Sequence, residues 1–407
     1  MSKDGLIILL ISLGVLAGIE VAMQFAYYFG MKKNPGQYEQ PELAFQFNED
    51  YLVELVPTIK KTYIRSEENG GDSIHWKVNR DGFRGSELKN DSEVKVMVYG
   101  DSNIQARFSV EESTYVYKLG KFLKESTGKG IEVINAGVVG FGPDQAMLKF
   151  EREVDIYKPD VVILNIFAGN DFGDIIRNRL FELNEKNGLV KTPFKTEPDQ
   201  EFKKEEGFKF RLLEWTKSVR EGMDERRNEK RAVEAPEAYE RGVFDYFDKA
   251  NQEAYEIYKK GEQRYFSNFQ DSYETDIATA PESEASQEKK LLMKSVIARM
   301  NELAIEKEVQ FAVQILPSST DLTPSNYVLG NEFLKKNYPD YNQGRLTNIL
   351  SEFTRELEIP SINLYQMFLQ NNPETLFFRG ENNHWNDFGQ DLAAKVAASF
   401  IADSVLN

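Results

Sequence analysis

Val94-Lys95-Val96-Met97-Val98-Tyr99-Gly100-Asp101-Ser102 is the stretch whose reading decides the fold. A short run rich in branched and aromatic residues predicts a buried parallel strand. Gly-Asp-Ser at its end predicts a sharp turn that delivers a hydroxyl to the sheet edge, the edge at which open α/β sheets bind ligands.

Downstream, strands and helices alternate. A helix near Ser113 to Lys124 carries Tyr115, Leu119, Phe122 and Leu123 on one face and stops at Gly128 and Gly130. A second strand, Ile131 to Ile134, leads into Asn135-Ala136-Gly137-Val138-Val139-Gly140, and Pro143 opens a helix running to about Val154. A third strand, Asp160 to Ile166, ends at Gly169-Asn170-Asp171. After an interruption come a helix near Lys289 to Ile305, a fourth strand Val309 to Leu316 stopped by Pro317, a helix near Arg345 to Leu357 and a short fifth strand at Ser361 to Leu364. The loop with His384 follows, then a helix over Phe388 to Ala402 capped by Asn386 or Asp387. This alternation predicts a parallel, doubly wound sheet.

The interruption is helical. Phe208, Leu212, Trp215, Val219 and Met223 form one stripe, and Tyr239, Val243, Tyr246, Phe247 and Ala250 a second. Packing faces are the first reading of such stripes. Because the insertion sprouts from the loop with Asn170, a lid or partner-binding arm is the second. The Ser/Glu/Thr-rich tract Ser267 to Gln287 reads as a mobile loop.

At the N-terminus, Gly5 to Ile19 is uncharged and apolar, and Val21 to Phe29 continues the run to an aromatic end. The span suffices for a bilayer crossing at about 20 residues. It reads as a single-pass membrane anchor with an extracytoplasmic body; Gly5 to Ile19 alone would also suit a cleaved signal peptide. The organisation expected is an anchor at 1–30, a lead-in segment packed on the catalytic domain at 31–90, a catalytic domain at 91–174 and 286–407, and a helical insertion at 175–285.

Composition narrows the chemistry. Of 407 residues, 66 are acidic and 50 basic, a formal charge of −16 that argues against nucleic acid as a partner. The absence of cysteine removes thiol catalysis and thiolate metal sites, and with two histidines, His75 and His384, a His-rich metal site cannot be assembled. No cofactor or metal is expected. His75, between Ile74 and Trp76, reads as structural.

Serine acyl transfer needs a hydroxyl, a base, a group that orients the base, and donors for an oxyanion. Ser102 offers the hydroxyl and its own N–H, and His384 is the base. Glu381, three residues earlier, can receive the Nδ1 proton, while Gly140 and Asn170 can add a backbone N–H and a side-chain amide to the oxyanion hole. Asp101 and Asp171 are assigned to loop support; Arg84 and Asp144 are polar neighbours without a role. Singly, Ser102 can be a helix cap and Asn170-Asp171 a turn; the ordered set favours a site.

Gly100-Asp101-Ser102, the glycine of Asn135 to Gly140, Gly169-Asn170-Asp171 and an acid three residues before His384 resemble the four blocks of the SGNH or GDSL hydrolase superfamily. The resemblance implies a three-layer α/β/α fold with a five-stranded parallel sheet, and an acyl-Ser102 intermediate in ester hydrolysis. This chain departs from the pattern in having Glu381 where aspartate is usual, with Asn382 its nearest polar rival, and Ala106 where glycine commonly follows the nucleophile. His384-Trp385-Asn386 is similar to the His-Trp signature of alginate O-acetyltransferase-like proteins, a membrane-associated branch that moves acetyl groups on exported polysaccharides. The expected function is a membrane-anchored esterase acting on an acyl, chiefly O-acetyl, ester of a small molecule or glycan. O-acyl transfer to a polysaccharide, and a non-catalytic carbohydrate-binding or scaffold role, are the alternatives.

Overall fold

Side chains alternate across a strand, and that alternation divides the core. The computed structural model describes residues 3–33, 44–89, 91–193, 210–262, 272–324, 329–379 and 384–406. Five parallel strands, β1 (Val94–Tyr99), β2 (Ile131–Asn135), β3 (Val161–Phe167), β4 (Gln310–Leu316) and β5 (Ser361–Asn363), form one sheet in the order β2-β1-β3-β4-β5. Val98 lies opposite Asn135 on one side and Ile163 on the other, while Val313 lies opposite Leu164 and Ser361. Strand order reverses beside β1, so the crevice at its C-terminal end is the expected ligand site.

Helices α1 (Lys3–Lys33), α2 (Ser102–Gln105), α3 (Tyr115–Thr127), α4 (Pro143–Tyr157), α5 (Asp171–Asn178), α6 (Arg211–Glu234), α7 (Pro236–Lys259), α8 (Glu284–Glu306), α9 (Arg345–Glu356) and α10 (Asp387–Ser404) are the principal ones. Val96, Val98, Ile163, Ala312 and Leu316 pack with Leu119 and Leu123 of α3 and with Ala393, Ala397 and Ile401 of α10. Met97, Tyr99, Leu164, Ile166, Val313 and Ile315 pack on the other face with Phe150 of α4, Phe172 of α5, Met300 of α8 and Leu350 of α9. The result is the expected three-layer α/β/α fold with a five-stranded parallel sheet. Each fully buried leucine contributes about 1.5–3 kcal/mol.

The lead-in is made of two antiparallel hairpins, Phe45–Asn48 with Leu52–Leu55 and Lys60–Ile64 with Ser73–Lys77. Their Tyr51, Leu52, Val53 and Trp76 join the core on the second face. His75 is exposed, its Nδ1 3.3 Å from Thr62 Oγ1, and serves the surface of a hairpin.

The chain forms two compact units, residues 1–43 with 203–239, and residues 44–202 with 240–407. The stretch 175–285 is shared between them. Of its first expected stripe, Leu212, Trp215, Val219 and Met223 lie on α6 while Phe208 lies outside the described residues; the second stripe lies on α7, and the two behave differently. Val243 and Phe247 pack on the core, whereas Trp215, Val219 and Met223 are exposed, so the packing-face reading fails for the first. For Ser267 to Gln287, read as a mobile loop, residues 267–271 lie outside the described residues and the remainder needs correction. Within it, residues 272–287 contain a short helix, Thr275–Thr279, and the start of α8, and Tyr273 and Glu274 are buried. Ionic composition there reflects pairing inside the protein: Lys289 Nζ donates to the Glu274 carboxylate, and to Asp276 Oδ1 at 3.1 Å.

In α1, Gly5–Ala26 is 22 residues long and apolar enough to cross a membrane by length and composition.

Candidate active site

Gly100 follows β1 at φ +158°, and a Cβ there would lie 2.7 Å from Ile104 Cγ1 and 3.0 Å from Asn165 Cβ. Only glycine lets β1 run this close to β3 and turn. Asp101 then caps α2, its Oδ1 accepting Asn103 N–H at 2.9 Å, which is the support role expected of it. Ser102 is the first residue of that turn of helix and is buried. The position where glycine commonly occurs keeps its left-handed backbone: Ala106 has φ 49° and ψ 49°, with its N–H on Ser102 O at 2.8 Å.

The β2 loop is held against this turn. Val138 N–H donates to Gly100 O at 3.0 Å, and Asn135 Nδ2 donates to Ile104 O at 2.8 Å. Further along, Gly140 has φ +74°, a conformation that favours glycine and leaves its backbone open to close approach. Arg84 pairs with Asn135 in an isolated bridge and donates from Nη2 to Ser109 O at 2.6 Å; burial lowers its guanidinium to about 10.

After β3, Asp171 Oδ2 accepts Phe167 N–H at 2.8 Å, tying the start of α5 to the strand end as expected, and Asn170 lies between them, buried. Glu274 N–H donates to Gly169 O at 2.9 Å, and Arg177 Nη2 lies 3.4 Å from Asn170 O. Arg177 also donates to Asp174, and its Nη1 is 3.9 Å from Glu274 Oε1. Behind the Asn170 loop there is therefore a buried ionic network running through Arg177, Glu274 and Lys289. Asp144, at the start of α4, accepts from Asn178 Nδ2 at 3.1 Å. Burial pushes its carboxyl up to about 7, against the pull of that bond.

His384 approaches from the far end of the chain. The next residue, Trp385, donates its N–H to Oδ1 of Asn103, the residue after Ser102, at 3.2 Å. The Trp385 indole is buried between Tyr115 and Phe368, with ring centroids 6.3 and 5.3 Å away. Asn386, rather than Asp387, caps α10 by accepting the N–H groups of Phe388 and Gly389. Phe108 meets the His384 ring edge-on at 5.5 Å. Arg65, from the lead-in, donates from Nη2 to both oxygens of Asp387 at 2.9 Å and from Nε to Phe108 O at 2.6 Å. Glu381 and Asn382 lie outside the described residues.

Ser102, Gly140, Asn170 and His384 thus share the C-terminal rim of the sheet. A buried hydroxyl, a left-handed glycine, a carboxamide and an imidazole on one rim form a set able to support acyl transfer. Among the described residues, no group of three or more His, Asp or Glu is arranged to hold a metal ion. Asn103, Arg65, Phe108, Arg177 and Glu274 escaped the sequence reading. Of these only Asn103 had a local signal, its place beside Ser102.

No family model matches the chain, and no curated protein matches it. Solved structures do. An acetyl xylan esterase is 15% identical with a TM-score of 0.37, over 77% of this chain and 100% of that one. A catalytic mutant of an acetylxylan esterase from Geobacillus stearothermophilus is 12% identical with a TM-score of 0.37, over 77% and 96%. The psychrotrophic esterase EstA from Pseudoalteromonas sp. is 12% identical with a TM-score of 0.35, over 77% and 100%. The fold assignment rests on this chain's own strand order, register and core.

Proposed function

We propose that the protein is a membrane-anchored serine esterase of the SGNH type that hydrolyses an acyl ester, with O-acetyl groups on a glycan or small molecule as the substrate class. The observation that carries this is the hydrogen bond from Trp385 N–H to Asn103 Oδ1, which joins the residues following His384 and Ser102 across the rim.

In this mechanism His384 Nε2 takes the Ser102 hydroxyl proton as Oγ attacks the ester carbonyl. Negative charge gathers on the carbonyl oxygen, where the N–H groups of Ser102 and Gly140 and the Asn170 amide donate to it. Each such donor is worth about 10²–10³ in rate. The tetrahedral intermediate collapses, the C–O bond to the alcohol breaks, and imidazolium returns the proton to the leaving oxygen. Water, deprotonated by the same ring, then cleaves acyl-Ser102 to carboxylic acid and free serine. Glu381 is the acid assigned to orient His384. Anchorage by Gly5–Ala26 would hold the active unit at a membrane, with an extracytoplasmic body as the proposed topology.

Transfer of the same acyl group to a sugar hydroxyl would need only a different acceptor. The buried Trp385 is explained by packing on Tyr115 and Phe368, so the His-Trp pair does not itself favour transfer. The test is turnover of a chromogenic acetyl ester by wild type and by Ser102→Ala, with mass spectrometry for a +42 Da adduct on Ser102, about the mass of one acetyl group replacing a proton. Equal turnover in the two proteins removes the enzymatic reading. Acetyl appearing on added polysaccharide instead of in free acetate makes the enzyme a transferase.

A further inference from the structure

Glu20 is the one carboxylate within Gly5–Ala26, and the structure shows what it holds. Its Oε1 accepts Arg211 N–H at 2.8 Å and its Oε2 accepts Leu212 N–H at 2.7 Å, while Gln24 Nε2 donates to Oε1 at 2.6 Å. The residue is only 8% exposed, whereas its neighbours Ile19 and Val21 are open. A carboxylate in an apolar span is costly unless satisfied. Here it is satisfied by the first two N–H groups of α6, where it also meets the positive end of that helix's dipole. In a cleaved leader this pairing would be lost.

Beyond the pin, α6 changes character along its length. Its first half carries Trp215, Val219 and Met223 at intervals of four, 55%, 41% and 57% exposed, with Leu213 also open. The second half, from Asp224 to Glu234, is densely charged and mixed in sign. Glu20 precedes Ala26, the end of the apolar span, by six residues, or about 9 Å at the helical rise. Amphipathic helices bury their apolar face about 5–10 Å into the lipid boundary, and tryptophan is enriched at that level.

We infer that the first half of α6 lies in the membrane interface beside α1, fixed in depth by Glu20, with its charged second half leading out to water. The occupant of the Trp215–Val219–Met223 face is the lipid acyl-chain boundary. The inference rests on the anchor reading of α1.

The test uses the full chain reconstituted in phosphatidylcholine vesicles, with and without brominated acyl chains. Trp76 and Trp385 are 2% and 1% exposed, so lipid quenching reports on Trp215. Wild type should float with the vesicles and lose about a third of its tryptophan emission to brominated lipid, one of three indoles contributing equally. Trp215→Phe should abolish that loss, and Glu20→Leu should abolish it while flotation persists. Flotation with Trp215 untouched by brominated lipid and open to acrylamide overturns the inference and leaves the anchor standing. So does protection of Trp215 that tracks protein density rather than bromination, which would identify a second copy as the occupant. Failure to float overturns anchor and inference together, and the acetyl-ester assay remains an independent measure of the site.

Discussion

Asn103 and Trp385, 282 positions apart, are joined by a 3.2 Å hydrogen bond between a side-chain oxygen and a backbone N–H. Asn103 also donates to Asp101 Oδ2 at 3.3 Å, so one carboxamide braces the turn of Ser102 and the loop of His384. Asn103→Ala should lower kcat by about 10–100-fold with KM little changed, since misplacement near 1 Å costs about that much. Acetyl-ester kinetics alongside thermal unfolding check this; a kcat within twofold of wild type would refute the bracing role.

The Lys289 network should behave as a unit. Lys289→Met strands the buried Glu274 carboxylate and should cost about 3–5 kcal/mol, the scale for breaking a buried pair. Adding Glu274→Gln should recover a large part of that loss, because the uncompensated charge is gone. The Glu274 backbone N–H still reaches Gly169 O in the double variant, so esterase activity should recover with stability. Denaturant unfolding of the three proteins checks the non-additivity.

Asp144 predicts a pH slope. Its carboxyl titrates near 7 when folded against 3.8 for the ordinary group, so the folded state holds the proton more tightly. That contribution to stability is full below about pH 4 and is lost as pH rises through 7. Asp144→Asn should therefore be the more stable protein at pH 8, by an amount on the order of a few kcal/mol, and should flatten the loss between pH 4 and 7. Melting temperatures of both proteins across that range are the measurement.

Ala106 holds a left-handed backbone that costs an L-residue about 1–2 kcal/mol. Ala106→Gly should relieve the strain but add freedom to the unfolded chain, for a net gain of about 0.5–1 kcal/mol. Activity should be unchanged. A destabilised variant would mean that the buried Ala106 methyl contributes more by packing than its backbone costs.

What could be read in the chain was what carried a local pattern. The apolar run to Tyr99, the Gly-Asp-Ser turn, the glycine at 140 and the Gly169-Asn170-Asp171 turn each announce themselves within a few residues. Arg65 does not, because its role is defined by Asp387 and Phe108, brought to it only by folding. Glu274 was misleading for the opposite reason, buried where the tract around it read as solvated. A polar, ionic composition signals solvation when charges stand alone, and here they neutralise one another in the interior. The Trp215 stripe has helical spacing, but spacing does not say whether protein, lipid or water covers it.

Arg65 and Asp387 are separated by 322 residues, and the ion pair between them holds the residue three places after His384. During synthesis the guanidinium emerges 322 residues before its carboxylate partner. Contacts of such long separation form late in folding. A nascent chain that has made Ser102 and the loops after β2 and β3 but not yet α10 therefore lacks this ion pair, and the His384 loop is pinned only once α10 docks.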